Sequence, residues 1–375
     1  MSVLLKKFKM QPGQSPAPAP KKATPIGKFF RHPYSHFMIF GVLLVLVQVL
    51  AMTGVLSAAL ARSVGVSLIY SIASLGFCLL LGYSGLASLG TAGFMGLGGY
   101  MFAYLLAHTP LPFFICVAVS VAALILIGAL VGFISLRIEG IYLAIVTLGL
   151  SEILVSFFKA FDSFTGGASG VNLKAKDLVF MFGAFELSRE VSFFIITAAL
   201  VGLMIVTANL INSPTGRAML AMKNSTSAAQ AMGISKVKIR LLAFVLATCY
   251  AGIAGILYAV YIRSMNPSVW SLSLSLNILA AIILGGARSI WGTLVGAFLV
   301  FGINTMFLQD IAFFRDNPNF IMIFIGILII LIVMLYPGGL AQLAKTAWHK
   351  IKAWIRKKLA AAKDKKAGAG EGGAE

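Results

Sequence analysis

Long apolar runs separated by polar segments are the feature that most constrains the fold of this chain. They lie at about residues 37–56, 64–81, 90–107, 113–136, 141–158, 191–211, 241–262, 272–284, 291–307 and 320–336. A helix needs about 20 apolar residues to cross a bilayer. Only helices and closed barrels satisfy their own backbone hydrogen bonds in lipid. We therefore predict an all-α polytopic membrane protein with about ten transmembrane helices.

Composition supports this class and excludes others. The chain is 59% hydrophobic and 11% charged, whereas soluble domains carry about 25% charged residues. Its net charge of +19 does not indicate nucleic acid as a partner, because basic cytosolic loops give membrane proteins the same excess. All three cysteines fall in apolar runs, so we expect neither disulfides nor a metal site.

The distribution of Lys and Arg predicts the topology. Residues 1–35, 213–240 and 341–375 hold 7, 5 and 9 of the 30 basic residues, and Arg137 and Arg288 fall in turns on the same side. That side should be cytosolic, with both termini there and the loop 159–190 outside. We expect residues 36–340 to form the membrane domain, flanked by a disordered, Pro-rich basic tail and a second basic tail.

The polar segment Ser213–Ile234 is too small and basic to span a bilayer. Ser213 can cap a helix that begins at Pro214. Ser227 has capping-box spacing for a second helix, which Gly233 can end. The pattern predicts a cytosolic helix pair, which is either an ordinary loop or a docking element on which a soluble partner pushes.

Glycine-rich stretches interrupt two apolar runs. Seven of the nineteen residues in Gly82–Tyr100 are glycine, and Gly285–Gly292 follows the short run 272–284. Glycine permits close helix approach. Broken or re-entrant backbone at membrane depth is tolerated where it lines a cavity or is buried in protein. Tight helix packing and a broken or re-entrant segment both remain open.

Glu152 lies inside the fifth span, with Thr147 and Ser151 nearby. An ionisable residue in a span costs roughly 2.5–3.5 kcal/mol on insertion scales, so it usually faces a partner or a wet cavity. Alternatively, Glu152 is close enough to the surface to be solvated. The segment Thr165–Val171 reads as a flexible small-residue loop, and it lacks the Lys-Ser/Thr of a phosphate-binding loop.

The sequence contains no Ser/His/Asp set, no metal-ligand cluster and no nucleotide-binding motif. An enzyme is therefore not predicted. If nucleotide hydrolysis drives this protein, the hydrolysing subunit would be another chain. Broken spans, one acid within a span and a docking-like loop favour a transporter subunit, with its substrate left open.

Five motifs in order resemble the branched-chain amino acid ABC permeases of the LivM/LivH type. They are Gly82–Tyr100, Gly140–Gly149 with Glu152, Thr165–Gly170, Ser213–Ile234 and Leu284–Gly292. Their order favours the LivM-type. Leu86, Thr91 and Arg288 stand where Gln, His and Gly are usual in the family.

The resemblance implies an importer for leucine, isoleucine or valine in the cell inner membrane. The partners would be a second, LivH-like permease, two cytosolic ATPases and an extracytoplasmic binding protein. This chain would bind no cofactor, because ATP and Mg would lie on the ATPases. A urea or short-chain amide permease of the same family and a stand-alone ion-coupled carrier that uses Glu152 remain alternatives.

Four groups of candidate site residues follow from these motifs. The ATPase-coupling loop has Ser213, Gly216, Arg217, Lys223, Asn224, Ala228, Ala229 and Gly233. The translocation pathway has Ser88, Thr91, Tyr142, Thr147 and Glu152. The extracytoplasmic loop has Thr165, Gly166, Gly167 and Gly170. Helix packing or broken segments involve Gly96, Gly285, Gly286, Gly292 and Gly296.

Overall fold

The computed structural model describes residues 34–135, 141–173, 187–302, 318–336, 338–344, 346, 347 and 352. The helices are α1 (Ser35–Met52), α2 (Ala58–Phe77), α3 (Thr91–His108), α4 (Phe113–Ser135), α5 (Ile141–Ala160), α6 (Arg189–Asn212), α7 (Pro214–Asn224), α8 (Thr226–Ala231), α9 (Lys236–Ile262), α10 (Leu272–Gly285), α11 (Ile290–Ala297) and α12 (Pro318–Leu335). The π-helical turns Cys78–Tyr83 and Phe298–Gly302 extend α2 and α11. Short helical turns cover Asp162–Thr165, Gly167–Ser169 and Pro267–Trp270. Strands β1 (Val171–Asn172) and β2 (Ser264–Met265) pair antiparallel.

Several predicted segments lie outside the described residues. They are the tail 1–33, the turn 136–140 with Arg137, part of the loop 159–190 (residues 174–186), the end of the ninth span (residues 303–307) and most of the tail beyond 344.

Six of the described helices are long and apolar enough to cross a membrane. They cover Ser35–Met52, Ala59–Tyr83, Phe113–Ile134, Tyr142–Ala160, Arg189–Asn212 and Lys236–Ile262. The mostly helical fold agrees with the predicted class, and the count of ten spans stays a prediction.

Local capping moves some predicted boundaries. The Ser57 side chain accepts a hydrogen bond from the Leu60 amide at 3.3 Å, so α2 begins at Ala58, earlier than predicted. Helix α1 ends at Met52 rather than near residue 56, because the chain turns at Gly54 with a φ of 79°.

Helices α2, α3 and α9 form the centre of the molecule, and glycine allows them to approach closely. A Cβ atom on Gly255 of α9 would lie 1.8 Å from the Met95 carbonyl oxygen of α3. The outer helices expose large apolar side chains instead, including Val42, Leu126 and Ile330 at 67, 70 and 67%. A buried glycine-lined centre with an apolar exterior is the arrangement expected in lipid.

Helices α10 and α11 form an antiparallel hairpin. A Cβ atom on Gly292 would lie 2.2 Å from the Gly285 carbonyl oxygen, and one on Gly296 would lie 2.0 Å from the Ala281 carbonyl oxygen. The Ser289 side chain accepts from the Gly292 amide at 3.1 Å and starts α11. The glycine-rich interruption predicted from the sequence is therefore the turn of a tightly packed pair of short helices.

Candidate functional site

The central polar segment forms the predicted helix pair. The Ser213 side chain accepts from the Gly216 amide at 3.3 Å, and Pro214 occupies the first turn of α7. Ser225 is extended and accepts from the Ala228 amide at 3.3 Å, which starts α8. Capping by Ser227 was therefore wrong, because Ser225 directly follows α7 and reaches the free amide first.

The helix pair has one face towards the protein and one away from it. Its buried residues are Gly216, Met219, Met222 and Ala229. Its exposed residues include Arg217, Asn224, Ala228, Met232 and Gly233. Met232 is 83% exposed, although a large apolar side chain gains from burial. The outward face thus combines a cation with an uncovered apolar side chain.

Glycine is required at two of the predicted positions in this pair. A Cβ atom on Gly216 would lie 2.3 Å from the Leu210 carbonyl oxygen, which seats the start of α7 against the end of α6. Gly233 adopts a φ of 81° beyond the end of α8, a conformation that glycine permits without strain.

Lys223 does not belong to the outward face. Its Nζ atom donates hydrogen bonds to the carbonyl oxygens of Leu81 and Gly82, at 3.0 and 2.8 Å. Burial lowers the pKa of its ammonium group, and the nearby Arg288 guanidinium lowers that pKa further. The end of α7 is thereby tied to the π-helical turn that ends α2.

That π-helical turn also contacts the α10–α11 turn. Tyr83 donates to the Arg288 carbonyl oxygen at 3.0 Å, and Cys78 donates to the Ala287 carbonyl oxygen at 3.1 Å. A Cβ atom on Gly82 would lie 1.7 Å from the Ala287 carbonyl oxygen. We call residues 78–85, Lys223 and residues 286–288 the junction. The junction joins the helix pair to both interrupted segments.

Three of the five pathway candidates lie close together. Ser88 and Thr91 are buried and line a small cavity with apolar side chains of α2, α3 and α9. Buried Thr147 accepts from the Leu89 amide at 2.9 Å, which holds the irregular segment before α3 against α5. These hydroxyl groups therefore flank the break between α2 and α3.

Glu152 and Tyr142 lie apart from that group, on the exposed face of α5. Tyr142 is 67% exposed, and its neighbours on this face, Ile145 and Ile153, are 57 and 66% exposed. Glu152 occupies the middle of a 20-residue apolar helix. A carboxylate at such a depth is expected to face a protein partner or water rather than lipid.

The Thr165–Gly170 segment is a closely packed turn. Thr165 is buried and donates to the Phe158 and Phe161 carbonyl oxygens. A Cβ atom on Gly167 would lie 1.7 Å from an Asp162 carboxylate oxygen, and one on Gly170 would lie 1.9 Å from the Met265 carbonyl oxygen. Gly166, with a φ of 68°, begins the turn. Gly170 allows close contact with the β2 segment, and Gly166 and Gly167 allow close contacts within the turn itself. The flexibility expected from the sequence stays a prediction.

The remaining glycine candidates also lie at close contacts. A Cβ atom on Gly96 would be 2.7 Å from the Phe158 ring and 2.8 Å from the Trp270 ring. Gly286, with a φ of 105°, brings the α10–α11 turn against Gly338. Gly285, Gly292 and Gly296 form the hairpin contacts described above.

The sequence interpretation missed the junction. Lys223 and its acceptors are about 140 residues apart in the chain, and no local pattern links a lysine to distant backbone carbonyls. The sequence did not predict a metal site. Among the described residues, no group of three or more potential metal ligands occurs.

Comparisons with known proteins give one consistent result. The family model described as branched-chain amino acid transport system / permease component matches residues 59–333. The high-affinity branched-chain amino acid transport system permease protein LivM of Escherichia coli K12 is 30% identical over 300 residues, which cover 74% of this chain and 69% of the relative. The probable branched-chain amino acid transport permease protein LivH of Methanocaldococcus jannaschii is 30% identical over 200 residues, covering 50% of this chain and 62% of the relative. No solved structure matches the chain.

Proposed function

Because the chain belongs to the family of branched-chain amino acid transport system permease components, we propose that it is the transmembrane permease subunit of an ABC importer. The family assignment confirms the resemblance seen in the five motifs. The names of the LivM and LivH relatives support leucine, isoleucine or valine as cargo. ATP hydrolysis with Mg belongs, on this proposal, to two cytosolic partner ATPases.

The observation that carries the proposal is the two-sided helix pair α7–α8. Its outward face presents Arg217 and Met232, which suits a soluble partner. Its inward side reaches the end of α2 through Lys223. A push from an ATPase on the outward face would move the junction, and with it the Ser88–Thr91 segment. The pair therefore serves as the coupling element between ATP hydrolysis and transport.

The exposed face of α5 supports a second permease as partner. Glu152 on that face would be costly in lipid, and a second permease would bury it or enclose it in a wet pathway. Residues 159–190 would lie outside, where a binding protein delivers the cargo, with both termini in the cytosol.

Charge reversal at Arg217 tests the coupling role. We expect Arg217→Glu to reduce ATP-driven amino acid uptake by about tenfold or more. Reversing a charge at the rim of an interface brings like charges together, which weakens binding of the partner by about this factor. Uptake and ATP hydrolysis by the assembled transporter are the measurements. Arg217→Lys is the matched control and should retain most of the uptake. Normal uptake by Arg217→Glu at wild-type membrane levels would contradict the proposal.

A further inference from the structure

Two other helices hold the start of α3 through side-chain hydroxyl groups. The Leu89 amide donates a hydrogen bond to the Thr147 hydroxyl of α5 at 2.9 Å. The Ala92 amide donates a hydrogen bond to the Ser275 hydroxyl of α10 at 3.0 Å. The position of this helix end therefore depends on hydrogen bonds to α5 and α10 as well as on its own backbone.

Ser275 takes the place of a local N-cap for α3. Gly90 occupies the N-cap position and has no side chain that could accept a hydrogen bond. An N-cap side chain ordinarily accepts from the second or third amide of its own helix, and Ala92 is the second residue of α3. Ser275 accepts from that amide although it lies 183 residues further along the chain. Helix α10 thus caps α3.

This cap is closed to water. Ser275, Ala92 and Thr147 are each 0% exposed. A buried amide that loses its acceptor bears the cost of desolvation until it finds another partner. The Ala92 amide can leave Ser275 for water only when the start of α3 moves. The cap therefore favours one position of this helix end.

The chain just before the capped end borders a small cavity. We call residues 84–90, between the π-helical turn of α2 and the start of α3, the break segment. Ser88 and Thr91 line a cavity of about 10 Å³ together with aromatic rings of α2, α3 and α9. Such a cavity holds at most about one water molecule, so an amino acid does not fit. Passage of an amino acid along these hydroxyl groups requires the break segment to move.

The contacts of the break segment suit such a movement better than those of the helices around it. Beyond its first turns, α3 meets α9 backbone to backbone, and a Cβ atom on Gly98 would lie 2.6 Å from the Gly252 carbonyl oxygen. Close-packed backbone of this kind resists displacement. The break segment is bordered by side-chain hydrogen bonds, from Lys223 before its start and from Thr147 and Ser275 at its end. A side chain can release a backbone group by changing its rotamer, without unwinding a helix.

We propose that the break segment is a gate in the transport pathway and that Ser275 is the positioning residue that keeps this gate closed. The inference rests on the proposed function, because it takes Ser88 and Thr91 to line the route of an amino acid. Release of the Ala92 amide from Ser275 frees the start of α3, and the cavity beside Ser88 widens. Movement of the helix pair acts on the other end of the break segment through Lys223.

Hydrogen–deuterium exchange of the full chain, read out by mass spectrometry, tests the cap without any transport assay. Ser275→Ala should raise the exchange rate of a peptide covering residues 84–94 by about tenfold, because the lost hydrogen bond shifts local opening by about that factor. Exchange across α9 should stay unchanged. An unchanged peptide 84–94, or an equal rise across α9, would overturn the proposal.

Two further variants complete the exchange experiment. Ser120→Ala is the matched control, because Ser120 is also 0% exposed but donates to the Cys116 carbonyl oxygen of its own helix, at 2.8 Å. It should leave peptide 84–94 unchanged. Thr147→Val keeps the shape of the side chain and removes the acceptor of the Leu89 amide, so it should raise exchange in the same peptide. This variant also tests the gate if Ser275→Ala does not fold.

A transport measurement distinguishes a gate from a contact that only supports the fold. In the assembled transporter, Ser275→Ala should lower the number of amino acids taken up per ATP hydrolysed by about tenfold, in proportion to the shift towards the open gate. Ser120→Ala should keep the wild-type ratio. Raised exchange with an unchanged ratio would overturn the gate and leave the proposed function intact. Absence of ATP-driven uptake by the wild-type transporter would contradict the proposed function and, with it, the gate.

Discussion

Two cations of one short helix have different surroundings. Arg217 is exposed and donates to the Asn212 carbonyl oxygen at 2.9 Å, at the surface of the helix pair. Lys223 lies near the C-terminal end of the same helix and donates hydrogen bonds to the carbonyl oxygens of Leu81 and Gly82. A flexible ammonium can satisfy two backbone acceptors that a π-helical turn leaves without helical partners. Arg217 is therefore available at the surface, whereas Lys223 faces the chain itself.

Replacement of Lys223 should impair the coupling of ATP hydrolysis to uptake and leave membrane insertion intact. Lys223→Met removes both hydrogen bonds while keeping an unbranched side chain, so we expect a loss of about 1.5–3 kcal/mol at the junction. The assembled transporter should then hydrolyse ATP with little uptake. Lys223→Arg keeps the charge and should retain part of the uptake. Full uptake by the methionine variant would contradict the role of Lys223 as a positioning residue.

The sequence could predict some contacts of individual residues and not others. Capping by Ser213 and the turn at Gly233 follow from local rules, and both occur. The choice of Ser225 over Ser227 depended on how short the connection between α7 and α8 is. The Lys223 contacts depend on which helix ends meet in space, which no local rule supplies.

Among the helices, the closest packing occurs where glycine faces backbone. Helices α3 and α9 meet through Gly98, Gly252 and Gly255, and a Cβ atom on Gly98 would lie 2.6 Å from the Gly252 carbonyl oxygen. Rigid backbone cannot move aside as a side chain can. These contacts hold the central helices in register around the segment that carries Ser88 and Thr91.

A matched pair of glycine substitutions tests this packing. Gly255→Ala should destabilise the protein by about 1–3 kcal/mol, because the new methyl group meets the Met95 carbonyl oxygen. Gly202→Ala in α6 meets nothing within 4 Å and should be neutral or stabilising by up to about 1 kcal/mol. Thermal unfolding in detergent measures both. Equal melting temperatures for the two variants would show that the contact is looser than described.

The helices themselves were predictable, because an apolar run of membrane length has few alternatives to a helix. Runs at 113–136 and 141–158 correspond closely to α4 and α5. The interruptions at Gly82–Gly90 and Gly285–Ser289 were also visible as glycine-rich stretches. The shape of these interruptions could not be predicted, because glycine is equally suited to a tight turn and to a broken span.

Across the whole molecule, the helix pair α7–α8 and the exposed face of α5 are separate surfaces. The proposed function assigns soluble ATPases to the helix pair and a second permease to the α5 face. Membership of a family of ABC permeases implies partner ATPases in general, and the second permease stays a proposal. The burial of Ser88, Thr91 and Thr147, with Glu152 left exposed, agrees with a pathway that one chain cannot complete.

Co-purification tests the central claim most directly. The full chain would be tagged, solubilised gently from its native membrane, and the recovered proteins identified by mass spectrometry. The proposed function predicts a second permease, two ABC ATPases and an extracytoplasmic binding protein in stable association. Recovery of the chain alone, still transporting amino acids in liposomes without ATP, would contradict it.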